Sequence, residues 1–176
     1  ADMPEVRTDA SSASRHLQAV AQLVDVERIR RARFTVAVDP RGGAASVPVL
    51  ALLDALGCDT VATNAGADAS YLTNHEPDEH SLAEFGALVR SAGAHVGFVQ
   101  DMDADRLAIV DEHGVAIGTD ATVVLVIRRW LEREAGPVVA SVSTSRMVDD
   151  VAAAFGCPVY RSPVGEAHVI EAMKLH

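Results

Sequence analysis

Apolar positions along the chain change period repeatedly, and the changes divide it into elements. In "SRHLQAVAQLVDVERIRRA", Leu17, Val20, Ala21, Val24 and Ile29 recur near helical spacing, which predicts two helices broken around Val24-Asp25. The apolar run "FTVAVDP" (34–40) then reads as a strand closed by Asp and Pro. A glycine turn, "RGGAAS", leads into the helix "VPVLALLDALG", which stops at Gly57. "CDTVATN" (58–64) is the next strand, so the unit reads as a right-handed crossover between parallel strands.

Residues 65–81 have no usable period and contain Pro77, which predicts a long surface loop of the kind that often carries function. The helix "SLAEFGALVRSAG" follows, with Ser81 as N-cap and Glu84 three residues on as its capping-box partner. "AHVGFVQ" (94–100) reads as a buried strand, and "LAIVDEHG" (107–114) as its hairpin-like neighbour. From about residue 116 the alternation starts again: helix "DATVVLVIRRWLERE", strand "PVVASVS", helix "RMVDDVAAAFG", strand "CPVYRS" and helix "EAHVIEAMK". The expected fold is therefore α/β, a mixed but mostly parallel sheet flanked by helices and followed by a partial second α/β unit. The expected divisions are a polar lead over 1–14, a first domain over 15–115, and 116–176 as the incomplete start of another. That last stretch is near the lower limit for a self-sufficient core. The helix after residue 119 should bury Val124, Ile127 and Leu131 and turn Arg128, Arg129 and Arg133 to water.

Charge narrows the choice of partner. The formal net charge is -10, and the cationic residues are spread along the chain, with Lys174 the single lysine. That argues against a nucleic-acid or membrane surface, and any phosphate recognised should be small and held by one or two arginines. No apolar run reaches the ~18 residues that a membrane-crossing helix needs. Cys58 and Cys157 read as small buried hydrophobes in a reducing compartment, and the cytoplasm is the expected location. Both ends look cut, so a fragment is expected.

The densest chemistry is "FVQDMDADRLAIVDE" (98–112), where Asp101, Asp103 and Asp105 alternate and Arg106 follows. Three carboxylates in a tight loop oppose one another's ionisation unless a cation lies between them, and a hard divalent ion takes oxygen ligands. A calcium EF-hand is the first alternative, since Glu112 falls at position 12, but position 6 is Arg106 instead of glycine and the flanks are strands. An aspartyl nucleophile of the phosphatase type is a second, with arginine standing where Thr or Val is usual. The third is a solvated acidic loop balanced by Arg106. Arg106 favours the metal reading, because a guanidinium beside a metal can grip one phosphate oxygen while the metal takes another.

"DMDADR" resembles the magnesium loop of the phosphohexomutases, the phosphoglucomutase and phosphomannomutase superfamily. "VAVDPRGGAAS" resembles the opening of that family's domain 2, "NHEPDEHSLAEF" a later stretch of it, and "STSRMVDDVAAAFGCPVYRSPVGEAHVIEAM" the first half of domain 3. The resemblance implies that Asp101, Asp103 and Asp105 hold Mg²⁺ together with a phosphoserine supplied by domain 1, and that Arg106 steadies the phosphoserine. Gly165 and Glu166 match a domain 3 segment that faces the sugar.

It further implies interconversion of hexose (or hexosamine) 1-phosphate and 6-phosphate through a bisphosphate. The wording leans toward the phosphoglucosamine mutase branch. The phosphoserine motif and domains 1 and 4 are absent, so the piece alone is expected to be inactive. A non-catalytic metal-binding or regulatory module of the same fold is the alternative. Met102 and Ala104 occupy spacer positions where glycine is common, and Pro163 stands where many members carry lysine. Two further features have open readings. Ser143 to Arg146 could form an anion site or an ordinary helix cap, and Arg161 could reach a phosphate. Of the histidines, only His168 lies near the Glu166 loop; His75, His80, His113 and His176 are expected to be solvated.

Overall fold

The computed structural model describes residues 11–66 and 77–176, so most of the long loop, His75 and the first ten residues lie outside the described part. The chain divides into two compact units, 1–116 and 117–176. In the first, α1 (Ser12–Ala21) and α2 (Val26–Ala32) are separated at the break expected around Val24-Asp25, where Asp25 accepts the Arg28 N–H and caps α2. Then come β1 (Thr35–Asp39), α3 (Ser46–Ala55), β2 (Asp59–Ala62), α4 (Glu79–Ser91), β3 (Val96–Gln100) and β4 (Leu107–Asp111).

The sheet order is β2-β1-β3-β4, with β1 parallel to both β2 and β3 and with β4 antiparallel to β3. β1 is central and covered on both faces, which is why its apolar residues are unbroken. Strand alternation sends Val36 and Val38 to one side, where they pack with Leu53 of α3. Ala37 faces the other side with Phe85, Val89, Val99 and Val110. β1 and β3 run in parallel with Asp39 opposite Val99. Their following turns therefore leave from the same end of the sheet, the end at which open α/β sheets place their sites.

The start of α4 differs from the sequence expectation. Asp78, not Ser81, is the N-cap: Asp78 is extended, its carboxylate accepts the Ser81 N–H at 2.8 Å, and Ser81 Oγ accepts the Asp78 N–H at 3.0 Å. Ser81 closes the capping box at N3 in place of Glu84, and Glu84 instead lies 3.4 Å from His80 on the surface. The helix meets the turn after β4 at very short range, because a Cβ on Gly86 would lie 2.2 Å from the Gly114 carbonyl oxygen.

The second unit contains α5 (Thr119–Leu131), β5 (Val138–Ser141), α6 (Met147–Ala154), β6 (Val159–Ser162) and α7 (Glu166–Leu175), with β5 and β6 parallel. Leu131, Ala140, Val148 and Ala152 are its buried apolar residues. Arg128, Arg129 and Arg133 are exposed as expected, but so are Leu125, Val126 and Trp130. A two-stranded sheet leaves these apolar residues of α5 uncovered. Cys58 and Cys157 are free thiols and only half-buried, which corrects the expectation of full burial. Burial and the neighbouring Asp59 carboxylate push the Cys58 thiol up, so it is a poor nucleophile.

Candidate metal centre

β3 delivers its last residue, Gln100, directly into the acidic loop, and β4 leaves that loop at Leu107. The pairing of Gln100 with Leu107 closes the hairpin. Between them the loop folds back, so that ligand oxygens of Asp101, Asp103 and Asp105 all lie within 4.8 Å of one another. Asp101 is 4% exposed, whereas Asp103 and Asp105 face water. Backbone bonds fix the loop. Asp101 Oδ1 accepts the Arg106 N–H at 3.0 Å, and the Asp101 carbonyl accepts the Ala104 N–H at 3.2 Å.

The electrostatics match the crowding. Burial alone would raise Asp101, but hydrogen bonds from the Arg106 N–H and from Asp105 outweigh it and hold its carboxyl below the usual range. Asp105 moves the other way, raised by its hydrogen bond with Asp101 and by repulsion from Asp103. Asp101 and Asp105 lie close enough to hold a proton between them, as carboxylates sharing a site do. A divalent cation would replace that proton with a stronger positive charge. Three carboxylates, with no nitrogen or sulfur donor among them, suit a small hard ion such as Mg²⁺. The Arg106 guanidinium lies 3.8 Å from Asp101 Oδ2, and its side chain is 62% exposed.

One position in the loop is more than a spacer. Ala104 has φ +65°, a left-handed conformation that costs an L-residue with a Cβ about 1–2 kcal/mol. Glycine there is expected to relieve the strain and to lose part of the gain to the greater freedom of the unfolded chain. Ala104→Gly should therefore stabilise the chain by up to about 1 kcal/mol, read as an upward shift of the urea midpoint.

The acidic loop rests on a second turn. After β1, Asp39 Oδ1 accepts the Arg41 N–H at 2.8 Å and Asp39 Oδ2 accepts Asn64 Nδ2–H at 2.8 Å. Gly42 N–H donates to the Asn64 carbonyl, and Arg41 Nη2 donates to Ser81 Oγ at the start of α4. Ala44 N–H donates to the Met102 carbonyl at 2.7 Å. The sequence marks "DPRGG" as a turn and, within "VAVDPRGGAAS", as resembling the opening of domain 2, but its bonds to Asn64, Ser81 and Met102 emerge only in the fold.

The remaining candidates belong to the second unit. Gly165 and Glu166 are exposed at the start of α7, where Gly165 has φ +125° and provides no side-chain cap. His168 lies beside them, 4.0 Å from Glu171. Arg161 is committed locally, since Nη1 donates to the carbonyls of Ser141 and Thr144 and Nη2 pairs with Asp149. Ser141 Oγ bonds both Ser143 Oγ and Thr144 Oγ1, and the α6 N-cap is Arg146 with no side-chain capping bond. These groups hold a strand-to-helix turn together.

Two family descriptions match this chain in succession: phosphoglucomutase/phosphomannomutase alpha/beta/alpha domain II over residues 14–114, and domain III over residues 118–176. The chain belongs to the phosphoglucomutase/phosphomannomutase family. A phosphoglucomutase/phosphomannomutase of Thermococcus kodakarensis is 39% identical over 160 residues, which is 90% of this chain and 35% of that protein. A probable phosphoglucosamine mutase of Methanopyrus kandleri is 30% identical over 97% of this chain and 37% of its own length. The chain thus spans about a third of the curated relatives it matches. Among solved structures, a putative phosphomannomutase from Thermus thermophilus superposes with a TM-score of 0.76 at 20% identity, covering 87% of this chain and 36% of its own. A Burkholderia thailandensis member of the family gives 0.73 at 24% identity, over 93% and 35%. The mixed sheet with a smaller second sheet is the α/β architecture of this family's domains. Among the described residues, no helix is long and apolar enough to cross a membrane.

Proposed function

We propose that this chain is the metal-binding part of a phosphosugar mutase that moves a phosphoryl group between the 1- and 6-positions of a hexose or hexosamine phosphate. The observation that carries the reading is the convergence of Asp101, Asp103 and Asp105 at the carboxyl end of β3, beside Arg106. Residues 15–115 act as domain 2 and residues 116–176 as the opening of domain 3. Domains 1 and 4 would come from the rest of a longer protein, together with the serine that carries the phosphoryl group.

In this reading the three carboxylates hold Mg²⁺, which when bound draws charge from phosphate oxygens during transfer. Arg106 orients the phosphoserine through paired N–H donors. Gly165 and Glu166 face the sugar, where a glycine lets the ligand approach the backbone and a carboxylate accepts hydrogen bonds from hydroxyls. The relatives named probable phosphoglucosamine mutase favour an amino sugar as substrate. The cytoplasm, where sugar phosphates are retained, is the corresponding location.

Calorimetric titration of the chain with Mg²⁺ tests the metal site. Weak binding that Asp103→Asn removes is the expected result, and equal heats for the two proteins would refute the cradle. The reaction is tested on the product of the whole gene by phosphorus NMR with glucosamine 6-phosphate and glucose 6-phosphate. Interconversion with the 1-phosphate is expected, and Mg²⁺ binding without turnover of either sugar would instead favour a non-catalytic module.

A further inference from the structure

The turn after β1 approaches the metal loop more closely than a packed side chain allows. A Cβ built on Gly43 would lie 2.1 Å from the Met102 carbonyl oxygen and 2.5 Å from Met102 Cα. Nothing in the Gly43 backbone itself demands glycine, because its φ is outside the left-handed region that Gly42 occupies at +63°. The requirement at position 43 comes from the neighbouring loop. Met102 stands between two of the three carboxylate residues, and its carbonyl accepts the Ala44 N–H at 2.7 Å.

We propose that Gly43 is a positioning residue for the cation: by admitting the Met102 backbone against the β1 turn, it sets the spacing of Asp101 and Asp103 and so the affinity of the cradle. This inference rests on the metal-binding reading above. Three carboxylates on an exposed loop repel one another, and a loop free to relax would move them apart. The Ala44 N–H and the missing Cβ at position 43 hold the loop's first half in the converged geometry before the ion arrives, so less free energy is spent ordering it on binding. The turn is itself anchored through Asn64, just after β2, and through Ser81 of α4, so the cradle is held by the body of the domain and not by the hairpin alone.

Gly86 provides a matched comparison. A Cβ there would meet a carbonyl oxygen at 2.2 Å in the same unit, but against Gly114 past the far end of β4, with the next Gly114 atom at 3.0 Å where Gly43 meets a second Met102 atom at 2.5 Å. Mn²⁺ is the probe, titrated into the 176-residue chain and followed by loss of the free aquo-ion electron paramagnetic resonance signal, with Mg²⁺ competition. Gly43→Ala is expected to weaken Mn²⁺ binding by about 10- to 100-fold, the range found when the support of a ligand is removed. Gly86→Ala is expected to lower the unfolding midpoint, as Gly43→Ala also should, but to leave Mn²⁺ affinity unchanged.

Equal affinity in Gly43→Ala and wild type would overturn the inference, as would an equal loss of affinity in Gly86→Ala. A second measurement needs no variant: amide exchange at Ala44 in the wild-type chain should slow on adding Mg²⁺, and unchanged exchange there with Mg²⁺ bound would also overturn it. Absence of Mn²⁺ binding by wild type, indistinguishable from Asp103→Asn, would take down the cradle and this inference together. Wild-type binding that Gly43→Ala retains would remove only the latter.

Discussion

Asp101→Ala is expected to abolish divalent-cation binding, with at least about a 100-fold loss of affinity, and also to cost about 1–3 kcal/mol of folding free energy. Two functions meet in this one carboxylate. It is the buried member of the triad, and its Oδ1 takes the Arg106 N–H that closes the loop. Alanine removes the ligand and leaves that backbone donor without its acceptor. Asp101→Asn separates the two roles, because the amide oxygen can still accept from Arg106 while the negative charge is gone. It should retain most of the wild-type urea midpoint and still lose the metal. A variant that lost stability but kept its cation would assign Asp101 to loop closure alone.

Acid acts on the neighbouring carboxylates in opposite directions. Asp101 is held below its ordinary value of 3.8, so its ionised form favours the fold; that contribution is present above 3.8 and is lost as pH falls through the depressed value. Asp105 is raised above the same ordinary value, so its protonated form favours the fold, and that contribution fades as pH rises through the raised value. In the metal-free chain, the wild type is expected to lose stability as pH rises through the raised Asp105 value, and Asp105→Asn to remove that decline, as read by urea titrations across pH.

How far the sequence discloses the site depends on whether a contact is local. β1 was legible because Val36, Ala37 and Val38 are all buried, and a strand buried on both faces reads as an unbroken apolar run. The acidic loop was legible because its three carboxylates lie within five consecutive residues. The turn that carries it was not, since Asn64 is 25 residues from Asp39, Ser81 is 40 from Arg41, and Met102 meets Ala44 only after β3 has been laid beside β1. The helix start lies three residues before the one that the sequence suggests, because Ser81 can serve at the N-cap or at N3, and the extended backbone of Asp78 decides between them. Ala104 looked like a spacer because a side chain's identity does not report its φ.

Arg41→Ala is expected to cost about 3–5 kcal/mol, the range for removing one partner of a buried ion pair. Arg41 and Asp39 are each only 5% exposed, and Nε lies 3.9 Å from Asp39 Oδ2. Arg41 also has φ +54°, so the residue is held in an unfavourable conformation by what its side chain reaches. Alanine keeps that strain and discards the compensation. Asp39 would retain the Arg41 backbone N–H and Asn64 as neutral donors but would be a buried carboxylate without its countercharge.

Asp39→Asn should be destabilising for the converse reason, leaving the guanidinium uncompensated. The double variant, with neither charge, should be less damaged than the two single losses added together, giving a coupling of about 1–3 kcal/mol in urea unfolding. A coupling near zero would mean that the two charges do not sense each other across 3.9 Å. The cost of Arg41→Ala would then lie in the other bonds of the guanidinium, that from Nη2 to Ser81 of α4 among them.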